Sequence, residues 1–161
     1  MLLPLFTSAE ATIGSKDHPV PESTAFEVKY EVMSFSDYDY VSGDISLSIV
    51  GQLPGAQAID KIYENSLREY QGPKYFCFKI LVEAKNLSRD VSIPIVAGVF
   101  KAYDEDFLES EILTVLSQVE LLNGTKAYLY LGFRTPEGFP GYLVFNDTIW
   151  FDLRNVKFLD E

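Results

Sequence analysis

Between Tyr75 and Lys85 every second side chain is apolar. Phe76, Phe78, Ile80, Val82 and Ala84 fall on one side, and Tyr75, Cys77, Lys79, Leu81, Glu83 and Lys85 on the other. Side chains of a strand point alternately to opposite faces, so this run predicts a long strand with one face in a core. The same alternation recurs over residues 24–33, where Phe26, Val28 and Tyr30 oppose Glu27, Lys29 and Glu31. It recurs over 44–50 through Ile45, Leu47 and Ile49, and over 125–133 through Ala127, Leu129, Leu131 and Phe133. Ten Tyr and twelve Phe add to the case for sheet, where aromatic rings pack well on a pleated surface.

The period changes once. After Pro54-Gly55, Ile59, Ile62, Tyr63 and Ser66 follow helical spacing, which predicts a short helical insertion near residues 55–70, closed by Gln71-Gly72-Pro73. Beyond the strand at 74–85, residues 91–103 read as a second long strand with Pro94 marking an edge or a bulge. Residues 108–122 fit either a helix or a strand, and Asn123-Gly124 tips the reading towards a strand entering a tight hairpin. Two short strands follow, at 142–145 and 148–153, around an Asn146-Asp147 turn. Seven or eight short strands at regular turn spacing predict an all-β, immunoglobulin-like sandwich carrying one helical insertion.

Three segments carry a resemblance. Gly14 to Pro21, with Pro19 and Pro21, resembles the lead-in of a family of secreted bacterial immunoglobulin-like domains often described as telokin-like. Residues 56–72 followed by Tyr75 to Asn86 resemble that family's helix, glycine turn and central strand. Leu122-Asn123-Gly124 with Gly141 to Phe145 resembles its closing strands. The resemblance spans about residues 14–154 and implies a fold and an export history, with no catalytic residues to carry over. Glu22-Ser23 departs from the family's glycine turn, and no lipid-anchor cysteine stands near the start. Leu2, Leu3, Leu5 and Phe6 followed by Ala9-Glu10-Ala11 read as the remnant of an export signal or an arm over 1–11. Residues 12–161 are then one domain, with an extracytoplasmic address.

Charge and composition exclude several functions. A net charge of −11 with no basic cluster repels phosphate backbones, which excludes nucleic acid as a partner. No apolar run approaches the ~18 residues of a membrane-spanning helix. With a single Cys77 and a single His18, no zinc site of several Cys or His ligands can form, no disulfide can close within the chain, and a Ser/His/Asp device would depend on one residue in the lead-in. No cofactor and no resident metal are expected. The acidic turns at Asp37, Asp39 and Asp44 and at Asp104, Glu105, Asp106 and Glu109 read as solvated. Counted from Asp104, position six of a calcium loop would be Glu109 where glycine is required. Asn86, Asn123 and Asn146 each open a glycosylation-type triplet that is also a natural turn.

The surface residues singled out for binding are Tyr38 and Tyr40 in a tyrosine-rich turn, and Tyr128 and Tyr130 on the face opposite Leu129 and Leu131. Aromatic rings with a polar tip suit half-wet interfaces with a protein or a cell-envelope glycan. The expectation is a non-catalytic exported binding module. The alternatives are a hydrolase of envelope glycans using two carboxylates about 5–9.5 Å apart, and a structural domain of an envelope or phage assembly.

Overall fold

A computed structural model of the chain describes residues 12–67 and 74–159. The export-signal reading of 1–11 and the 71–73 turn lie outside the described residues. The rest is a β-sandwich. Strands β1 (Phe26–Met33), β2 (Tyr40–Gln52), β3 (Tyr75–Lys85) and β8 (Lys126–Arg134) form one antiparallel layer. Strands β5 (Phe100–Asp104), β6 (Glu109–Ile112), β9 (Pro140–Phe145) and β10 (Ile149–Asp152) form the other. The layers join through β6, which pairs with β5 at Ala102↔Ser110 and with β8 at Ile112↔Phe133. The hydrogen-bonded order therefore runs without a break as β1-β2-β3-β8-β6-β5-β9-β10. Two short strands, β4 (Ile93–Val96) and β7 (Gln118–Leu121), pair separately.

The predicted core face of β3 lies inside: Phe78, Ile80, Val82 and Ala84 are buried against Ile45, Leu47 and Ile49 of β2 and Leu129, Leu131 and Phe133 of β8. The facing layer contributes Phe100, Ala102, Leu143, Phe145 and Phe151. Tyr30 of β1 meets Phe145 of β9 with ring centroids 5.4 Å apart, which fixes the layers face to face.

The opposite face of β3 is covered at its Cys77 end. Helix α1 (Gly55–Asn65) lies across β3 and β8, where Ala58 and Ile62 close over Cys77, Leu53 and Leu113. Ala58 and Ile62, four residues apart, share one side of the helix. The predicted stripe is thus turned: Ile62 is buried, but Ile59 and Tyr63 are exposed. The reason is Gly132 of β8, which leaves the hollow into which Ile62 packs.

Two of the long strand readings are broken. Residues 91–103 divide into β4 and β5 around a 3-10 turn at Ala97–Val99, and Pro94 stands on the short edge strand β4, as an edge proline must. Residues 108–122 divide into β6 and β7. Thr114 forms the intervening turn, its carbonyl accepting from Ser117 N–H at 3.0 Å while its hydroxyl accepts from Gly132 N–H at 3.0 Å. Asn123-Gly124 does not close a β7–β8 hairpin, because β7 pairs with β4 and β8 with β3. The turn carries the chain from one pairing to the other, with Gly124 N–H donating to Ala84 O at 2.7 Å. These breaks raise the number of strands among the described residues to ten.

The lead-in is fixed at the far edge. Val20, fully buried, lies parallel to Phe151 of β10, donating its N–H to Trp150 O and accepting from Asp152 N–H, both at 2.8 Å.

Candidate functional site

Cross-strand register decides which outward side chains of the β1–β2 hairpin stand together. Met33 pairs with Tyr40, Glu31 with Ser42 and Lys29 with Asp44. All six turn away from the core, because Val28, Tyr30 and Val32 of β1 and Val41 and Ile45 of β2 turn inward to it; of the six only Asp44 is buried, beneath its own neighbours. The hairpin thus presents apolar and aromatic groups at its tip and a polar ladder behind them.

The tip is held by hydrogen bonds. Ser34 is fully buried; its N–H donates to Asp39 O at 2.9 Å and its carbonyl accepts from Tyr38 N–H at 3.0 Å. The Ser34 hydroxyl also accepts from Ser36 N–H at 3.2 Å. Tyr38 adopts the left-handed region, with φ 57°. A clasp from outside the hairpin completes the loop. Arg89, from the segment after β3, donates to both carboxylate oxygens of Asp37 at 2.6 and 3.0 Å, to Tyr40 O at 3.0 Å and to Asp39 O at 3.1 Å. The planar guanidinium fits such a set of acceptors in a way a lysine cannot. Arg89 holds the Asp37 carboxyl below the usual carboxylate range, chiefly through its hydrogen bonds. Four large side chains remain exposed on this braced frame: Tyr38 at 77%, Tyr40 at 60%, Phe35 at 48% and Met33 at 40%.

Behind the tip a hollow of about 390 Å³ is lined by Lys29, Tyr30, Glu31, Ser42, Gly43, Asp44 and Asn86. Asp44 is its organising group. It is buried, and it accepts from Asn86 Nδ2 at 2.8 Å and from Lys29 Nζ at 2.6 Å. Those two donors, Asn86 first, hold its carboxyl below the usual range, and Asp44 in turn raises Lys29. Asn86 reaches Asp44 from a left-handed turn position, φ 54°, a conformation that asparagine tolerates.

The other tyrosine pair is arranged differently. Tyr128 stands opposite Leu81, which stands opposite Ser48 of β2, eight residues along that strand from Tyr40. At about 3.3 Å per residue the two pairs are roughly 26 Å apart along the sheet. Lys79 Nζ lies 3.9 Å from the Tyr128 ring centroid and Lys61 Nζ lies 4.7 Å from that of Tyr130. Tyr130 also packs against the residues beneath the helix, beside a cleft of about 590 Å³. These rings already have cations on their faces, whereas Tyr38 and Tyr40 stand clear. Cys77 is sealed under the helix, and burial pushes its thiol up to about 12. Among the described residues, no set of three or more His, Cys, Asp or Glu side chains gathers to hold a metal ion.

Arg89 and Lys29 were not distinguishable in the sequence as site residues; Asp44 was read only as part of a solvated acidic turn and Asn86 only as a turn position, whereas Asp44 is buried and bonded to Asn86. A signal was present for one pair only: alternation places Lys29 and Asp44 outward on neighbouring strands, so a correct hairpin register would have set them opposite each other.

Two facing β layers closed by hairpin and crossover connections define an immunoglobulin-like β-sandwich, here with a braced aromatic tip at one end. The chain is similar in fold to MPT63, a secreted protein from Mycobacterium tuberculosis solved at 1.5 Å, with a TM-score of 0.52. The match covers 89% of this chain and 98% of that one at 11% sequence identity, so the likeness is one of fold. No family model matches the chain, and no curated protein matches it. Among the described residues, no helix is long and apolar enough to cross a membrane.

Proposed function

We propose that this protein is a non-catalytic, exported binding module of the telokin-like kind, and that it recognises its partner with the outward face of the β1–β2 hairpin. The observation that carries the reading is the Arg89 clasp. Ordering a loop on binding costs conformational entropy, and a loop already braced by four hydrogen bonds from Arg89 avoids much of that cost. Exposed tyrosines on a fixed frame beside a polar hollow suit a ligand with apolar faces and hydroxyl or amide edges, a description that fits an envelope glycan or a protein loop. Asp44, the buried carboxyl of the hollow, is unsuited to the part of general acid. A general acid needs a carboxyl that holds its proton near the working pH, and Asn86 and Lys29 bias Asp44 the other way. The fold likeness to a secreted protein is in keeping with the extracytoplasmic address.

The test is a glycan array together with pull-down from cell-envelope extracts, using the intact chain and the Tyr38→Ala/Tyr40→Ala variant. Retention of a defined glycan or a single protein species by the intact chain, lost in the variant, is the expected result. Equal retention by both, or none by the intact chain, would remove this face from consideration.

A further inference from the structure

We propose that the free edge of β1 is an interface between two copies of this chain, which join strand to strand about a two-fold axis at Tyr30. β1 ends the hydrogen-bonded order of the sheet and pairs with β2 alone among the described strands. β4 lies nearby but pairs with β7. Opposed residues of an antiparallel pair alternate between those that exchange hydrogen bonds and those that do not. Ser34, just beyond β1 in the same register, donates its N–H to Asp39 O at 2.9 Å. Ser42, opposite Glu31, bonds the other way: its carbonyl accepts from Ser88 N–H at 2.8 Å and its N–H donates to the Ser88 hydroxyl at 3.0 Å. Val28, Tyr30 and Val32 therefore bond to β2, and the N–H and carbonyl groups of Glu27, Lys29 and Glu31 point away from it. Among the described residues nothing on that side takes them up.

Sheets protect such a row with proline, a bulge, a short strand or a covering segment. The opposite edge is protected in this way: β10 has four residues, and Val20 lies along it. β1 runs for eight residues without proline, and its register with β2 is unbroken. Its core-facing Phe26, Val28 and Val32 are only partly buried, whereas Ile45, Leu47 and Ile49 of β2 are buried. One more strand at this edge would cover them.

Charge is the one protective device that β1 carries, and its pattern is self-complementary. In an antiparallel pair centred on Tyr30, Lys29 of each copy faces Glu31 of the other, and Val28 faces Val32. Lys29 Nζ is already held by Asp44 at 2.6 Å and has further donors for a second carboxylate. Centring the pair on Lys29 would set Lys29 against itself and Glu27 against Glu31. Centring it on Glu31 would set that carboxylate against its own copy. Centring it on Val28 matches Glu27 with Lys29 but overlaps residues 26–30 alone, against 27–33 for Tyr30. The pairing lies in the plane of the sheet and leaves Tyr38 and Tyr40 clear, so it does not rest on the ligand proposed for them.

Sedimentation equilibrium of the intact chain tests the interface, and a concentration-dependent dimer is expected. Residue-resolved hydrogen exchange should show the Lys29 and Glu31 amides slowing as the chain is concentrated, while the Tyr30 amide, already bonded to β2, changes little. Glu31→Lys sets like charges against Lys29 of the other copy and should weaken the dimer by about a hundredfold or more. Glu31 is exposed, so this variant is expected to fold. Glu31→Pro removes an N–H that faces away from β2, a change an edge strand tolerates, and should weaken the dimer likewise. Mixing Glu31→Lys with Lys29→Glu should restore a dimer that neither forms alone, because each charge then meets its opposite. If Lys29→Glu does not fold beside Asp44, the two Glu31 variants decide. A monomer at every concentration up to about 1 mM overturns the proposal. So does a dimer of unchanged affinity in Glu31→Lys, or one that leaves the Lys29 and Glu31 amides unprotected, since either places the contact elsewhere.

Discussion

Ile62 of α1 occupies the space that a side chain at Gly132 of β8 would need, and a methyl group there would overlap its Cγ1. The helix is thereby seated on the sheet by a glycine in the middle of a strand, where glycine otherwise weakens pairing. Gly132→Ala is expected to destabilise the protein by about 1–3 kcal/mol, the usual range for overpacking a filled core. Ile62→Ala is expected to cost about 2–5 kcal/mol by leaving a cavity. The double variant should lose less than the sum of the two, because each change makes room for the other. Urea denaturation of the four proteins measures the coupling, and strict additivity would contradict the contact.

Arg89→Lys keeps the charge and discards the planar fork. Tyr38, Asp39 and Tyr40 amides should then exchange with solvent markedly faster, while core amides of β3 stay protected. Hydrogen exchange resolved by residue separates this local release from general destabilisation. Because Arg89 holds Asp37 below the usual carboxylate range, the clasp is intact above the ordinary aspartate pKa and is lost as pH falls through the lowered one. Acid should therefore release the loop of the intact protein in the way the variant does at neutral pH.

Asp44 makes a similar contribution to acid stability. Its carboxyl is lowered in the folded state by Asn86 and then by Lys29. The stabilisation is therefore full above the unfolded value, about pH 3.9, and disappears as pH falls through the folded one. Asp44→Asn should reduce the pH dependence of the urea midpoint on the acid side. A variant with the slope of the intact protein would show that Asp44 does not carry it.

Cys77 is expected to resist thiol reagents until the chain unfolds. The thiolate is the reactive form, and burial both hides the sulfur and raises its pKa to about 12. A disulfide reagent should react at a rate set by unfolding in buffer and at once in concentrated urea. Rapid reaction in buffer would mean that the helix opens far more readily than its packing implies.

The parts of the fold that could be read in the sequence were those where one strand meets one core. Phe78, Ile80 and Val82 alternate with polar or half-buried residues because only one face of β3 enters the sandwich, and β1, β2 and β8 share that condition. Pairing between distant segments was harder to read. Nothing local to 91–103 shows that Ala97–Val99 interrupts it, nor that β7 leaves Asn123-Gly124 to pair with β4. Ile59 and Tyr63 look as apolar as Ile62, and only the hollow at Gly132, seventy residues later, selects Ile62 as the buried one. The tyrosines of the tip were visible as surface candidates, but the arginine that braces them lies 52 residues from Asp37, a distance over which sequence spacing carries no information.

The parallel bridge between Val20 and Phe151 also governs the order of assembly. The contact joins segments 131 positions apart, and Glu22 accepts from Lys157 N–H across a similar span of 135. Loops that long close slowly, and the contacts that reward closure come last. A chain emerging from its N-terminus cannot secure the β10 edge until residues through Asp152 have emerged, so Val20 waits without its partner. Closure of the β10 edge is thus a late step, because Val20 gains its backbone partners only once Trp150 and Asp152 are in place.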